Sequence, residues 1–392
     1  MRVLPWWAPV LLVWAASRVV TTAILLSFAQ RQSESDDTAA RLSYVDFARI
    51  WDGNWYWIIA TSGYPAQLPL TDDGHVAENA WAFLPVYPML SRLVGLLLNV
   101  EFPVAGLLVS VLAGAGAALV FFRLMSERLP AGSALFAVAL FCFAPLSPLF
   151  QVDYAESLFA LLLALALLLL VRRRYLALLP VVVVLAFTRP GALALALALG
   201  IHVVLRWRSR HTDPFPSTEA ARAVLVTAVT AISGIAWVVI AGVVTGSPNA
   251  YTDTELSWRM PYVGYQELLP FTPWVQGAVW WSAFVGIPAW LGIAALVVLV
   301  VGFVAALLSP WASRLGTDMR LWVASYGLYL LAVFFPQSST FRILFPMFPL
   351  LGALAVPRSR VFRAVLLGVF VVLQWGWVHI AWWVDGYDWT PP

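Results

Sequence analysis

The sequence predicts an all-α polytopic membrane protein, and three observations carry that prediction. Its 392 residues are 62% hydrophobic and only 11% charged. The mean hydropathy is +0.85, which no water-soluble surface sustains. About eleven apolar runs approach the roughly 17–25 residues a helix needs to cross about 30 Å of hydrocarbon. They cover 6–28, 104–125, 133–150, 155–171, 176–188, 191–206, 222–245, 283–308, 320–335, 341–356 and 361–384. Several are broken by proline or glycine, and the alternation of a β-barrel strand is missing from them. Residues 1–392 read as a single integral membrane domain, with no soluble domain, heptad array or repeat of 20 to 50 residues.

The first run ends in Ser27-Phe28-Ala29, which resembles a signal-peptidase site. It is nevertheless longer than a usual h-region and contains Arg18, so it is expected to stay as a first helix. An arginine inside a span costs about 2.5–3.5 kcal/mol on insertion scales, so Arg18 needs a polar partner in the bundle, which the sequence does not name. With the N-terminus placed in the cytoplasm, 15 of the 23 basic residues fall on cytoplasmic segments, the sense of the positive-inside rule. All 23 are arginine, and 16 of the 20 acidic residues fall on the opposite, outer side. A net charge of +3 gives no reason to expect nucleic-acid binding.

Two outer loops, 29–103 and 246–282, are longer than joining neighbouring helices requires, and long connections usually carry function. In the first, SYVDFARIWDGNWYWIIATSGYP (43–65) reads as a helix capped by Ser43, ended by Gly63 and stopped by Pro65. Trp51 and Trp55 share one face and Asp52 and Tyr56 another. The tryptophans suit the headgroup interface, so the helix is expected to lie along the outer surface. The stretch WAFLPVYPMLSRLVGLLLN (81–99), punctuated by Pro85 and Pro88, reads as a second interfacial helix.

Polar groups on the outer side come from five places: Asp52, Tyr154 with Glu156, Arg189, Arg342, and Asp253 with Glu255. A carboxylate and two arginines at headgroup level suit a phosphate on a lipid chain. Guanidinium grips phosphate bidentately, and a carboxylate can deprotonate an attacking hydroxyl. Structural alternatives stand beside each role: Asp52 paired with Arg49, the two arginines snorkelling at helix ends, Glu156 serving the first turn of its helix. His75 and His379 are on the outer side without metal-ligand spacing. Asp72 and Asp73 could bind a cation or form an exposed turn. The single Cys142 forms no intramolecular disulfide. No cofactor and no protein-held metal site is expected, and the sequence leaves a divalent-cation requirement open.

These motifs resemble the PIG-V family. WDGNWYWIIATSGYP is similar to that family's opening luminal motif, AFLPVYPML to its FFPxYP element, and YAESLF to its Tyr-x-Glu-x-Leu-Phe segment. FTRPG looks like its Thr/Ser-Arg element and FRILFPMFP like its late Arg-x-Leu-x-Pro element. They occur in the same order between about 50 and 350. Val152-Asp153 before the tyrosine and the residues flanking Arg342 depart from the pattern. The arginine-only, alanine-rich composition is similar to that of actinobacterial homologues.

The resemblance implies the GT-C superfamily and a mannosyltransferase in a bacterial plasma membrane. Its donor would be polyprenyl-phosphate-mannose and its acceptor a lipid or glycan hydroxyl. Asp52 would be the general base, Arg189 and Arg342 would bind the donor phosphate, and Tyr154, Glu156, Trp51, Tyr56 and His75 would contact substrate. Related enzymes transfer arabinose, glucose or galactose. The rival class is a lipid-linked sugar flippase or other transporter, which would favour inverted repeats and charges near the midplane.

Overall fold

Helix breaks at proline, glycine and one tryptophan place the polar residues of this chain, and the long helices serve as their frame. The computed structural model describes residues 5–34 and 38–384, and among them the regular structure is helical, with one isolated bridge between Leu70 and Val76. The helices are α1 (Trp7–Ala29), α2 (Tyr44–Arg49), α3 (Asp52–Ser62), α4 (Val86–Leu98), α5 (Phe102–Ser126), α6 (Ala131–Cys142) and α7 (Glu156–Val171). The middle of the chain forms α8 (Tyr175–Ala186), α9 (Ala192–Arg208), α10 (Ser217–Thr245), α11 (Ala250–Ser257), α12 (Met260–Val263) and α13 (Pro273–Phe284). The last third forms α14 (Ala289–Leu308), α15 (Pro310–Ser313), α16 (Thr317–Val333), α17 (Thr340–Leu344), α18 (Leu351–Leu354) and α19 (Arg360–Trp377).

Every one of the eleven apolar runs contains a helix, yet α1, α5, α10, α14 and α19 with its π-turn extension are the ones long enough to cross a bilayer. The shorter ones explain the polar site. The run 133–150 stops as α6 at Cys142 and resumes as a 3₁₀ turn at Ser147–Gln151, because Pro145 and Pro148 cannot donate to an α-ladder. Thr340–Leu354 likewise passes through a 3₁₀ segment at Phe345–Leu350 that contains Pro346 and Pro349. Chain broken in this way is tolerated at membrane depth only where protein surrounds it.

Arg18 is the answer to one such break. Its Nη2 donates to the Cys142 carbonyl at 3.0 Å, and its Nη1 to the Ser147 carbonyl and Gln151 Oε1, both at 2.9 Å. The arginine thereby satisfies the Cys142 carbonyl at the end of α6, where the helix dipole favours a cation, and two oxygens of the 3₁₀ turn that follows. The Trp14 ring lies 4.5 Å below the guanidinium.

Small residues let α5 pack closely on its neighbours, as is usual in membrane bundles. Ala113, Gly114, Ala117 and Ala118 are buried along it, and Gly114 faces the Trp14 ring. The main core runs through Phe121, Phe141, Phe150, Phe345 and Phe348, whose rings touch in series. At the other extreme α14 buries only Leu307; its remaining apolar surface suits lipid, not protein.

The segment 43–63 departs from the expected single helix. Ser43 caps it and Gly63 (φ +78°) ends it, but the helix breaks between α2 and α3, where Trp51 adopts φ +64°. The tryptophans of this segment differ in their surroundings. The Trp51 indole donates to the Trp382 carbonyl and the Trp382 indole to the Phe47 carbonyl, each at 3.0 Å. Trp55 stacks on Phe83 at 5.7 Å. Trp57 is the exposed one of the three. Segment 81–99 contains α4, which buries Tyr87, Ser91 and Gly95 and leaves Leu93, Leu96, Leu97 and Leu98 exposed.

Candidate active site

The break at Trp51 makes Asp52 the first residue of α3, where the helix N-terminus favours a carboxylate. Its backbone N–H donates to the Tyr154 hydroxyl at 3.2 Å. Its carboxylate does not pair with Arg49; it accepts from Arg342 Nη1. Arg49 instead lies over Trp57 at 5.4 Å.

Arg342 comes from α17, and its guanidinium covers the Tyr154 ring at 5.2 Å. It also lies 3.7 Å from Glu156, the first residue of α7. Glu156 in turn binds Arg189 at 2.5 Å. Arg189 sits in the turn from α8 to α9, which Gly191 closes with φ +142°.

Asp52, Arg342, Glu156 and Arg189 therefore form one chain of alternating charge, drawn from four separate elements and largely shielded from solvent. Two of its atoms are buried without a hydrogen-bond partner, Arg342 Nε and Glu156 Oε2. Buried polar atoms are usually satisfied, so this cluster keeps a donor and an acceptor unpaired.

The cluster borders a cavity of about 330 Å³, at the small end of the ligand-pocket range. Asp52, Tyr56, Arg189 and Arg342 line it. Tyr154 and Glu156 are buried behind that wall. Trp51 is held away from it by its bond to Trp382, and His75 lies on an exposed turn, stacked on Tyr265 at 3.8 Å. Asp72 and Asp73 are exposed on the same turn. Among the described residues no three His, Cys, Asp or Glu side chains converge as a metal site would need.

Sequence reasoning left two groups of residues without a role. The second long loop reaches the cavity through α11 and the residues after it: Tyr251, Thr252, Glu255, Trp258, Arg259 and Leu268. Glu255 is one of the five outer-side polar places in the sequence, and its spacing from Arg259 is the further signal that it belongs to the cavity. Burial pushes its carboxyl up to about 7. Asp153, next to the tyrosine motif, is fully buried with both carboxylate oxygens unpartnered. Desolvation raises it well above the usual carboxylate range. Gly106 makes room for it: a Cβ there would lie 3.0 Å from Asp153 Oδ1.

The architecture is that of a polytopic membrane protein, all-helical among the described residues, with a charged cavity built from its irregular segments. Among solved structures it is similar to ArnT from Cupriavidus metallidurans bound to undecaprenyl phosphate, with a TM-score of 0.51 and 14% identity. The alignment covers 89% of this chain and 60% of that one, so the chain matches somewhat less than two thirds of its neighbour's length. At this identity the likeness is one of fold. No family model and no curated protein matches the sequence.

Proposed function

We propose that the chain is a membrane glycosyltransferase that moves mannose from a polyprenyl-phosphate-mannose donor to a hydroxyl of a lipid or glycan acceptor, with inversion. The observation that carries this reading is the Asp52–Arg342–Glu156–Arg189 chain at the cavity wall. The neighbour's bound undecaprenyl phosphate supports a lipid-phosphate donor, and the motif resemblance supports mannose. The arginine asymmetry supports a bacterial plasma membrane with the N-terminus in the cytoplasm and the cavity on the outer face.

In this mechanism Asp52 accepts the proton of the acceptor hydroxyl as its oxygen attacks the anomeric carbon. The new C–O bond forms on the face opposite the departing phosphate, and the anomeric C–O bond to phosphate breaks with its electron pair going to the lipid phosphate. Arg189 and Arg342 stabilise that negative charge. Arg342 also orients Asp52, and Glu156 holds the two arginines side by side. Tyr154 fixes the start of α3 from behind, and Tyr56 closes the wall. No bound nucleotide enters, and transfer is expected to survive chelation of divalent cations, since both cluster carboxylates are already held by arginine.

The test is transfer from radiolabelled polyprenyl-phosphomannose in membranes containing wild type or Asp52→Asn. The variant is expected to lose about 10²–10⁴-fold in transfer while still binding undecaprenyl phosphate. Full transfer by Asp52→Asn removes Asp52 as base. Labelled arabinose, glucose and galactose donors, run in parallel, decide the sugar.

A further inference from the structure

The cavity has a second charged wall that the proposed chemistry does not use. Five charged side chains line the cavity: Asp52, Arg189, Glu255, Arg259 and Arg342. Asp52 is bonded to Arg342, Arg189 to Glu156, and Arg259 Nη2 to the Val333 carbonyl. Among the described residues Glu255 is in no ion pair. Its helix is nevertheless firmly set. Asn79 Nδ2 donates to Thr254 Oγ1 at 2.9 Å, and the Trp258 ring is wedged edge-on against Trp55 and Phe83 at 6.0 and 5.9 Å. A carboxylate held at a cavity wall without a cation is costly, and it invites a ligand with hydrogen-bond donors.

Resting on the glycosyltransferase reading, we propose that Glu255 is the acceptor-binding carboxylate of this cavity, accepting hydrogen bonds from neighbouring hydroxyls of a sugar or polyol headgroup. Two arguments favour the acceptor over the donor. Arg189 and Arg342 are given to the donor phosphate, so the body of the acceptor needs a wall other than theirs while its reacting hydroxyl reaches Asp52 beside Arg342. The α11 wall is that other wall, and it carries Trp258 and Tyr251, with Tyr329 of α16, flat surfaces of the kind sugar rings rest on. Tyr251 donates a side-chain hydrogen bond to Glu255, and the groups that act on it electrostatically are Arg259 from its own segment, Arg189 from the α8–α9 turn, Asp52 of α3 and Tyr329 of α16. None holds it as a bonded ion pair, so desolvation dominates and sets its titration at about 7. The ionised form accepts hydroxyls best, so acceptor binding tightens as pH rises through about 7.

The experiment uses the full chain in nanodiscs, with polyprenyl-phosphomannose as donor and octyl α-mannoside as acceptor probe. It follows transfer, donor hydrolysis by water, and calorimetric binding of the probe. Glu255→Ala is expected to raise the probe's KM and Kd about tenfold or more, with donor hydrolysis and undecaprenyl phosphate binding within about twofold of wild type. Glu255→Gln, which keeps the shape and one acceptor oxygen, is expected to show a smaller rise of about threefold and to abolish the pH dependence of KM. Three results overturn the proposal. One is unchanged probe affinity in both variants. Another is a parallel loss of transfer and hydrolysis at constant KM, which makes Glu255 part of the bond-breaking step. The third is tighter, Glu255-dependent binding of an alkylamine than of the mannoside, which makes the subsite one for a cation. Calorimetry decides the matter even if wild type turns over no donor, an outcome that counts against the glycosyltransferase reading and not against Glu255.

Discussion

At the scale of single residues, the charged chain is held by arginine 342 more than by any other member. It bonds Asp52, approaches Glu156 and covers Tyr154. Removing one partner from a buried ion pair is far more damaging than the pair's net worth, because the other charge is left in low dielectric. Arg342→Ala is therefore expected to destabilise the protein by about 3–5 kcal/mol, seen as a lowered unfolding midpoint in detergent, and to abolish transfer. Arg342→Lys keeps the charge but loses the planar fork; it is expected to recover much of the stability and little of the transfer. Equal recovery of both would mean that Arg342 acts by charge alone. The residues that meet here were readable one by one in the sequence, as unusual charges in an apolar chain. Their pairing was not: Asp52 and Arg342 are 290 positions apart, and the nearer candidate, Arg49, lies on the other side of a helix break.

At the scale of elements, apolar runs revealed where helices occur, because hydrocarbon demands them, but not which would stop short. The stops at Cys142 and between α17 and α18 depend on prolines whose freed carbonyls need distant donors, and Arg18 is such a donor. Arg18→Ala leaves the Cys142 and Ser147 carbonyls and Gln151 Oε1 without it. A lower unfolding midpoint is expected, with unchanged affinity for undecaprenyl phosphate, since Arg18 is outside the cavity; weakened lipid-phosphate binding would give it a role in substrate passage. The turn that carries Arg189 gives a sharper test. Gly191 adopts φ +142°, and a Cβ there would also press on the Phe159 ring at 3.3 Å. Gly191→Ala is expected to shift Arg189 and reduce transfer more than tenfold or so, for a stability loss of about 1–3 kcal/mol; wild-type transfer would show that the turn tolerates the strain. Helix α11 was the least legible element, since its eight residues carry no apolar periodicity and its importance lies in what it faces.

At the scale of the whole molecule, the proposed reaction requires the cavity to open on the side opposite the arginine-rich loops. The protein has a single cysteine, Cys142, and it is buried, so an introduced thiol can report its side. His75→Cys is expected to react with a membrane-impermeant maleimide on intact cells, and Arg210→Cys only after permeabilisation. The reverse pattern would invert the topology.

The most direct test of the central claim is the position of a donor phosphate, read from an experimental structure of the protein with undecaprenyl-phosphomannose. Phosphate oxygens are expected at about 2.7–3.2 Å from the guanidinium of Arg189 or Arg342, with the sugar between these arginines and the α11 wall, within reach of Asp52. A phosphate bound elsewhere, for example at Arg172 and Arg173 on the opposite end of the bundle, would contradict it.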